Sequence, residues 1–428
     1  MNAITDPAAD TAAIARAALE GAAQAARAAA TVLSRAPRPV KDLALITAAA
    51  SLRARSAEIL AANAADLAAA PDLTEAFRDR LTLTPARIEA MAVGLEEVAA
   101  LPDPVGRVLA EWTRPNGLIF RRVAQPIGVI AMIYESRPNV GADAAALCLK
   151  AGSPVILRGG RESLNSAAAI HACILDGLRA AGLPEACVAT APNTDRAFVG
   201  AMLRAAGLID LIIPRGGKGL VTRVLEEARV PVLAHAEGLC HTYVHERADH
   251  GMARSVLANA KMRRTGVCGS TETLLIDRAI APSLLPRLVD DLRTLGCDFR
   301  ADEAARAILP ELPAASEADF STEWLAPVLN IAVVDGVESA LDHIRRHGSE
   351  HTEAIITEDA AAAGAFLDGL GSAVGLWNAS TQFCDGGEFG FGAEIGIATG
   401  RLHARGPVGL EQLCTWRYHV IGTGQVRP

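Results

Sequence analysis

The sequence contains no uninterrupted apolar run of roughly 18 residues, which a membrane-spanning helix needs. Its first residues, MNAITDPAADTAA, carry two aspartates where a secretory signal would have a basic segment followed by an apolar core. We therefore expect a soluble, cytoplasmic protein that is not exported and has no membrane partner.

Paired cysteines are also missing. The eight cysteines lie at irregular spacings without a CxxC pair, which indicates reduced thiols in a cytoplasmic protein. Four possible ligands gather in AHAEGLCHTYVHE (234–246): His235, Cys240, His241 and His245. Their spacing matches no standard zinc pattern, and on a strand Cys240 and His241 would point to opposite faces. We expect no bound metal.

An excess of positive charge is absent as well, since the formal net charge is −8. This balance argues against nucleic-acid binding but leaves room for a local basic pocket that takes a small anion. No G-x-G-x-x-G follows a predicted strand, and no segment has the Walker spacing, so a standard Rossmann fingerprint and a P-loop are both excluded.

What the chain does have is length and apolar content. It has 428 residues, half of them hydrophobic and 21% charged, which indicates a folded globular protein of two or three domains. In the first half, near-continuous apolar segments alternate with helical stretches, a pattern typical of a parallel sheet covered on both faces. The predicted strands there are 128–134, 154–159, 186–191, 208–214 and 230–236.

A second α/β region runs from about 241 to 390, with predicted strands at 272–277, 328–334 and 354–357. The simplest architecture is two α/β domains. In parallel sheets of this kind, ligands bind beyond the carboxyl ends of the strands.

Alanine-rich helices precede the first sheet. The apolar spacing across 8–70 predicts two amphipathic helices broken at 36–39, and a third helix is expected over 85–100 with Thr84 as its N-cap. The Asn116-Gly117 pair then predicts a β-hairpin across 105–125. Such a hairpin is either an arm that pairs with another subunit or an ordinary surface hairpin.

One cysteine stands in an unusual context. Cys268 lies in ANAKMRRTGVCGSTETLLID (258–277), between two nearby glycines and just ahead of an apolar segment. The cations that precede it are Lys261, Arg263 and Arg264. Cations beside a thiol raise its thiolate fraction, so Cys268 is a candidate nucleophile, although a buried cysteine that acts as a small hydrophobe is the common alternative.

Two glycine-bearing turns follow predicted strands. RGGKGLV (215–221) contributes Lys218, and RGGRES (158–163) contributes Arg158 and Arg161. Backbone N–H groups at such turns favour a pyrophosphate, and an arginine at a strand end suits a 2′-phosphate. A single glycine-rich turn of this kind is more often structural, and an arginine can simply be solvated, but the two turns together favour an anion site.

Three further segments carry polar side chains in loops. YESRPNV (134–140) places Ser136, Arg137 and Asn139 after a strand, where they are suited to hold a carbonyl oxygen or an anion. RLHARGPVG (401–409) puts a histidine and two arginines in a glycine-proline loop, and RRHGSEHTE (345–353) is either functional or a solvated helix end.

Taken together in order, these segments resemble the gamma-glutamyl phosphate reductase family of the aldehyde dehydrogenase superfamily, over roughly 40–428. The segments that carry the resemblance are PIGVIAMIYESRPNV (126–140), PVILRGGRES (154–163), IIPRGGKGLV (212–221), EGLCHTYV (237–244), NAKMRRTGVCGSTETLLI (259–276), VESALDHIRRHGSEHTEAIIT (337–357) and FGAEIGIATGRLHARGPVGLEQL (391–413).

The resemblance implies NADPH-dependent reduction of L-glutamyl 5-phosphate to L-glutamate 5-semialdehyde with release of phosphate, the second step of proline biosynthesis from glutamate. It implies two parallel-sheet α/β domains with a β-hairpin oligomerisation arm, hence a homo-oligomer, and allows a transient contact with glutamate 5-kinase. The implied regions are a cofactor-binding domain (1–110 and 127–240), a catalytic domain (241–400), and the arm with the C-terminal strand (111–126 and 401–428).

The resemblance also implies roles for residues. Cys268 is the nucleophile that forms a thioester, and the oxyanion is held by its backbone N–H with either Ser136 or Asn139. The implied cofactor-binding residues are Arg158, Gly159, Gly216, Gly217, Lys218 and Glu323. The implied substrate-binding residues are Arg137, Arg264, His403 and Arg405.

The chain departs from the family pattern at two places: Gly269-Ser270 follow the cysteine where Asn-Ala is usual, and Gln382 stands where an arginine is common. Glu237 lies near the position of the superfamily's water-activating glutamate. A reductase that releases the aldehyde needs no such base, so we assign Glu237 none. The alternatives are a broader aldehyde dehydrogenase that uses NAD, water and Glu237, and a catalytically silent member of the fold.

Overall fold

Parallel strands separated by helices form the sheets of both halves of the chain. The computed structural model describes residues 7–135, 137–192, 195–235 and 237–427. The chain divides into unit 1 (Met1–Ala234, Phe391–Gly396 and Val408–Pro428) and unit 2 (His235–Gly390 and Ile397–Pro407). The predicted α/β fold class, with two parallel sheets, is confirmed. The functional assignment of the two units stays a prediction.

The elements alternate in the order expected of such a fold. The helices are α1 (Pro7–Leu33), α2 (Arg38–Ala54), α3 (Ser56–Ala69), α4 (Glu75–Leu81), α5 (Pro85–Ala100), α6 (Val140–Lys150), α7 (Leu164–Ala180), α8 (Arg196–Leu203), α9 (Lys218–Glu227), α10 (His250–Met262), α11 (Ala281–Thr294), α12 (Glu303–Ile308), α13 (Gly336–His347) and α14 (Ala360–Gly369). The strands are β1 (Val108–Thr113), β2 (Ile119–Pro126), β3 (Ile130–Tyr134), β4 (Val155–Arg158), β5 (Val188–Thr190), β6 (Leu211–Arg215), β7 (Cys240–Val244), β8 (Thr271–Asp277), β9 (Asp298–Ala301), β10 (Val328–Val334), β11 (Thr352–Ile356), β12 (Val374–Trp377), β13 (Ile397–Ala398), β14 (Gly406–Pro407) and β15 (Cys414–Ile421).

Unit 1 is built on a four-stranded parallel sheet in the order β5-β4-β3-β6. The central strand β3 is buried along its whole length, and its residues share an apolar core with alanines of α1. The prediction of a strand at 230–236 is wrong for the described residues of that segment. Val232 makes only an isolated bridge to Ile212, and Pro231 beside it has no N–H to donate to a ladder.

The predicted N-terminal helices are confirmed with one correction. The break at 36–39 separates α1 from α2, where Pro39 occupies the first turn. The second predicted helix is in fact two, because the backbone at Arg55 leaves helical geometry between α2 and α3. The predicted cap is present, since the Thr84 hydroxyl accepts a hydrogen bond from the Arg87 N–H at the start of α5.

The predicted hairpin is also confirmed. Strands β1 and β2 are antiparallel, and Gly117 at their turn adopts a φ of 84°, which favours glycine. Strand β15 pairs with the other edge of β2, so the hairpin belongs to a three-stranded antiparallel sheet, and its role as an arm stays a prediction.

Unit 2 contains a six-stranded sheet in the order β12-β11-β7-β8-β10-β9, and every pairing in it is parallel. The strands predicted at 272–277, 328–334 and 354–357 are confirmed as β8, β10 and β11, whereas β7, β9 and β12 were not predicted. The neighbours β11, β7 and β8 are the ones that position the candidate site. None of the helices in the described ranges combines the length and apolar character needed to cross a bilayer.

Candidate active site

Three loops meet at the amino-terminal edge of the unit 2 sheet. Cys268 lies just before β8, His235 lies shortly before β7, and His351 lies immediately before β11. Because these strands are neighbours and parallel, their amino-terminal ends lie side by side. One ring nitrogen of each histidine and the Cys268 sulfur lie within 4.8 Å of one another.

Cys268 differs from the other cysteines in its exposure. All eight are free thiols; seven are buried, and Cys268 is half-buried. Burial raises the pKa of Cys187, Cys297 and Cys414 to about 12 each, so these thiols stay protonated at neutral pH. Cys268 is therefore the cysteine whose sulfur is accessible for chemistry.

The backbone of Cys268 is held by close contacts. A Cβ added at Gly238 would lie 2.1 Å from the Cys268 carbonyl oxygen and 2.6 Å from its Cα, so only glycine fits there. The Gly238 N–H donates to a Glu323 carboxylate oxygen at 2.9 Å, and the Cys240 thiol donates to the Cys268 carbonyl at 3.0 Å. These contacts fix where the sulfur points.

Replacing Gly238 by alanine should displace the Cys268 loop, because the new methyl group would meet backbone atoms that have no room to move. We expect kcat to fall by about 10²-fold, the typical cost of misplacing a reacting group by about 1 Å. Steady-state kinetics would measure this, with Gly266→Ala as the control, since no atom lies within 4 Å of a Cβ added there. Equal activity of both variants would contradict the close-packing argument.

The cations expected to activate Cys268 lie in different environments. Lys261 is fully buried and its ammonium pairs with Glu272 at 2.7 Å, so its charge is neutralised by a carboxylate. Burial raises the pKa of the Glu272 carboxyl, and the Lys261 ammonium opposes that rise. Arg263 and Arg264 are exposed on the loop itself.

Gln382 has a structural task that explains its presence. Its side-chain amide donates to the carbonyl oxygens of Ala260 at 3.0 Å and Arg264 at 3.1 Å. The side chain is buried, and its two hydrogen bonds connect the end of α10 to the start of the Cys268 loop.

The two histidines of the cluster differ in environment. His351 is fully buried, and burial, followed by the nearby His235 ring, lowers its pKa to about 3. Its Nδ1 lies 2.9 Å from the Thr352 hydroxyl oxygen, while its buried Nε2 has no hydrogen-bond partner among the described residues. His235 is half-buried, and its Nδ1 lies 2.7 Å from the Ile397 carbonyl oxygen.

Neither histidine is predicted from the sequence as a partner of Cys268. His235 reads there only as a possible metal ligand, and His351 lies in a segment that also fits a solvated helix end. As expected for a strand, Cys240 and His241 point to opposite faces: Cys240 contacts Cys268, whereas His241 pairs with Glu353 at 2.8 Å.

The residues predicted to bind the cofactor in unit 1 lie at the carboxyl ends of its strands. A cavity of about 1300 Å³ opens there. The arginines that line it are Arg158, Arg161, Arg196 and Arg223. Burial lowers the pKa of the Arg158 guanidinium, while Glu162 and Glu135 oppose that shift.

The second glycine turn leads into α9. Gly216 and Gly217 precede Lys218, the first residue of that helix, and Gly159 follows β4. The Gly217 N–H donates to a Glu135 carboxylate oxygen at 3.0 Å, so this turn already holds an anionic group. A Cβ at Gly216 would lie 2.4 Å from the same oxygen.

The residues predicted to hold the oxyanion and substrate are spread over both units. The Asn139 amide donates to Asp143 at 3.1 Å, and burial raises the pKa of Asp143 to about 6. Arg137 is half-buried in unit 1. Ser136 lies outside the described residues.

In unit 2, Arg264 and His403 are exposed. Arg405 is half-buried and donates to Glu350 at 3.0 Å and to the Gly371 carbonyl at 2.7 Å. Of the predicted residues in this unit, Glu323 is tied to Cys268 through Gly238.

The chain has a half-buried thiol at the edge of one parallel sheet and an arginine-lined cavity at the other. A known protein family matches this chain. The model of the "Aldehyde dehydrogenase family" matches residues 2–310.

Individual relatives show which members of this family the chain is closely similar to. The chain is 72% identical over 410 residues to a gamma-glutamyl phosphate reductase of Gluconobacter oxydans, covering 96% of each chain. It is 67% identical to that of Acidiphilium cryptum, covering 97% of this chain and 98% of the relative. The crystal structure of gamma-glutamyl phosphate reductase from Thermotoga maritima is similar with a TM-score of 0.94 and 43% identity, covering 96% of this chain and all of that one. The chain belongs to the aldehyde dehydrogenase family and, within it, to the gamma-glutamyl phosphate reductases.

Proposed function

We propose that this enzyme reduces L-glutamyl 5-phosphate to L-glutamate 5-semialdehyde with NADPH, in the cytoplasm, and releases phosphate through a Cys268 thioester. Family membership supports the substrate and the place in proline biosynthesis. The single observation that carries the mechanism is the geometry of Cys268, a half-buried thiol whose backbone is clamped by Gly238 and Cys240.

The Cys268 thiolate attacks the acyl phosphate carbonyl carbon. The Cys268 backbone N–H and a side-chain donor, Ser136 or Asn139, hold the negative oxygen that forms. Collapse of this intermediate expels phosphate and leaves the acyl group on Cys268 as a thioester. When bound, the reduced nicotinamide supplies a hydride to that carbon. Phosphate rather than water is the acyl partner, so Glu237 needs no role as a base.

The unit 1 cavity fits a nicotinamide cofactor with a 2′-phosphate. Its lining supplies arginines at strand ends, and a partly desolvated guanidinium such as Arg158 gains most from an anionic partner. We propose that Arg158 and Gly159 hold the adenosine ribose, that Gly216, Gly217 and Lys218 contact the diphosphate, and that Glu323 of unit 2 contacts the other ribose.

Removing one cavity arginine should change cofactor preference. In Arg161→Gln we expect the KM for NADPH to rise by about 10- to 100-fold, because one charge-assisted hydrogen bond contributes about that much to binding affinity. The KM for NADH should change little. Arg179→Gln is the matched control, because Arg179 is exposed and pairs with Glu185 outside the cavity. A parallel rise for both cofactors would mean that Arg161 does not contact the 2′-phosphate.

The substrate carboxylate and phosphate need cations. We propose that Arg137, Arg264, His403 and Arg405 supply them. Arg405 already donates to Glu350, so we expect it to act mainly by holding the loop that carries His403.

We also propose that the arm forms a homo-oligomer. Alternate residues of β15 share one face, and three of them are large and exposed: Trp416 (46%), Tyr418 (54%) and Val420 (51%). Trp112 of β1 packs against Tyr418 with ring centroids 6.0 Å apart, which extends this apolar face. A transient contact with glutamate 5-kinase stays a prediction.

A charge on this face should dissociate the oligomer. We expect Val420→Asp to shift the mass measured by light scattering to that of a monomer, because a carboxylate buried in an apolar interface is costly. His419→Asp is the control on the opposite face of the same strand. Both variants retaining the unsubstituted mass would show that β15 is not the interface.

The reaction is best tested in reverse, because an acyl phosphate is short-lived. Purified protein would receive glutamate 5-semialdehyde and NADP, with and without inorganic phosphate, while NADPH absorbance is followed. We expect continuing reduction of NADP only with phosphate, because without phosphate the reaction stops at the thioester after one NADP is reduced per enzyme. Steady turnover without phosphate would instead support the water-dependent dehydrogenase alternative with Glu237 as its base.

A further inference from the structure

Lys261, the buried cation that precedes Cys268 in the sequence, already pairs with the Glu272 carboxylate. We propose that His235 accepts the Cys268 proton and then delivers it to the departing phosphate. This inference rests on the proposed function, and it adds a residue that acts directly on the reacting atoms.

The first support is the tautomer of His235. Its Nδ1 lies 2.7 Å from the Ile397 carbonyl oxygen, which only accepts hydrogen bonds, so Nδ1 carries the proton. The other nitrogen, Nε2, is then the basic one in the neutral ring. A base oriented by a third group beside a nucleophile is the arrangement that activates cysteine and serine nucleophiles.

The second support is position. A ring nitrogen of His235 and the Cys268 sulfur both lie within the 4.8 Å cluster, and Cys268 packs against the apolar cluster that contains Ile397. The carbonyl that orients the histidine therefore belongs to the same apolar group as the nucleophile. Catalytic hydrogen bonds are often longer in the absence of substrate and tighten when it binds.

The third support is the contrast with His351. That ring is fully buried, and burial keeps its pKa far below neutral, so an imidazolium there is strongly disfavoured. His235 is half-buried and reaches solvent, so it is the histidine of the cluster that can hold and return a proton.

The groups that face this pair determine its pH dependence. Among the described residues they include His351, Cys240, Cys384 and, through Gly238, Glu323. His351 stays neutral, and burial raises the pKa of Cys240 well above its usual range. The Glu323 carboxylate of this set accepts the hydrogen bond of the Gly238 N–H.

The proton balance closes. His235 takes the proton from the Cys268 sulfur, a carbon–sulfur bond forms, and the bond between the acyl carbon and the phosphate oxygen breaks. Phosphate leaves with the His235 proton as the hydrogen phosphate dianion, and His235 is neutral again. When the reduced acyl group departs as aldehyde, the electron pair of the carbon–sulfur bond returns to Cys268, and solvent supplies the one proton that the overall reaction consumes.

The test measures Cys268 ionisation directly. The rate of Cys268 alkylation by iodoacetamide would be followed against pH in the unsubstituted protein and in His235→Asn, with Cys268→Ala as the background for other thiols. Asparagine keeps a donor for the Ile397 carbonyl but has no basic nitrogen. We expect the midpoint to rise from below about 7.5 to about 8.5, the value of an ordinary thiol.

Activity and rescue complete the test. In His235→Asn, kcat should fall by about 10²- to 10⁴-fold, and added imidazole should restore part of it. His235→Gln is the second variant if the first is misfolded by circular dichroism. An unchanged alkylation midpoint in a folded variant would overturn the role of His235. Loss of phosphate dependence in the unsubstituted protein would instead overturn the proposed function and leave the Cys268–His235 pair intact.

Discussion

Replacing Cys268 by alanine is expected to lower phosphate-dependent NADP reduction by at least about 10⁴-fold, because the nucleophile has no substitute. The remaining cysteines are buried, and a buried thiol with a raised pKa neither ionises nor reaches a substrate. The loss should appear in kcat, with cofactor affinity unchanged, because unit 1 is untouched. Cofactor fluorescence titration would check the second point.

Cys297→Ala is the matched control for this result. Cys297 is buried in the apolar core of unit 2, and burial raises its pKa to about 12. We expect it to keep its activity. If Cys268→Ala turned over at more than about a tenth of the unsubstituted rate, the thioester mechanism would be wrong.

The second large effect concerns the Lys261–Glu272 pair, which connects α10 to β8 on either side of the Cys268 loop. Both side chains are buried, and their charged atoms lie 2.7 Å apart. Lys261→Met leaves a buried carboxylate without its partner, which should cost about 3–5 kcal/mol of unfolding free energy. Urea denaturation would measure it. Adding Glu272→Leu should recover most of the loss, because an apolar pair of similar volume replaces the ion pair.

The pH dependence of this variant has a definite sign. In Lys261→Met, burial raises the pKa of Glu272 further above its unfolded value, because the opposing ammonium is gone. A group with a raised folded pKa contributes stability that is lost as pH rises. The variant should therefore lose less stability at pH 5 than at pH 8. A loss independent of pH would mean that Glu272 is not the group left unpaired.

Sequence patterns were sufficient for most of the fold. Alternating apolar segments and helices predict both sheets, Asn116-Gly117 predicts the hairpin, and Thr84 predicts a helix cap. The failures have local causes. Pro231 interrupts what reads as a strand, and a bend at Arg55 divides a helix whose apolar spacing continues across it.

The candidate site was predictable only in part. The glycines and cations around Cys268 mark it as a nucleophile, but its histidine partners depend on strand order. His351 reaches Cys268 because β11 and β8 flank β7, and no local pattern states which strands are neighbours. Lys261 was expected to serve the thiol, whereas burial pairs it with Glu272, a contact that also depends on tertiary packing.

The edge of the unit 2 sheet at which the candidate site lies also differs from the expectation. In unit 1, the predicted cofactor residues lie at the carboxyl ends of the strands, as parallel sheets favour. In unit 2, Cys268, His235 and His351 all lie at the amino-terminal edge. The rule that ligands bind at the carboxyl ends of parallel strands therefore predicts the location of the cofactor cavity but not that of the nucleophile.

Mass spectrometry of the acylated enzyme tests the central claim most directly. The protein would be mixed with glutamate 5-semialdehyde and NADP without phosphate, quenched in acid and digested. We expect a glutamyl adduct on the peptide that contains Cys268, and its rapid loss when phosphate is added before the quench. An adduct on another cysteine, or one that disappears equally fast in water alone, would contradict a Cys268 thioester that exchanges with phosphate.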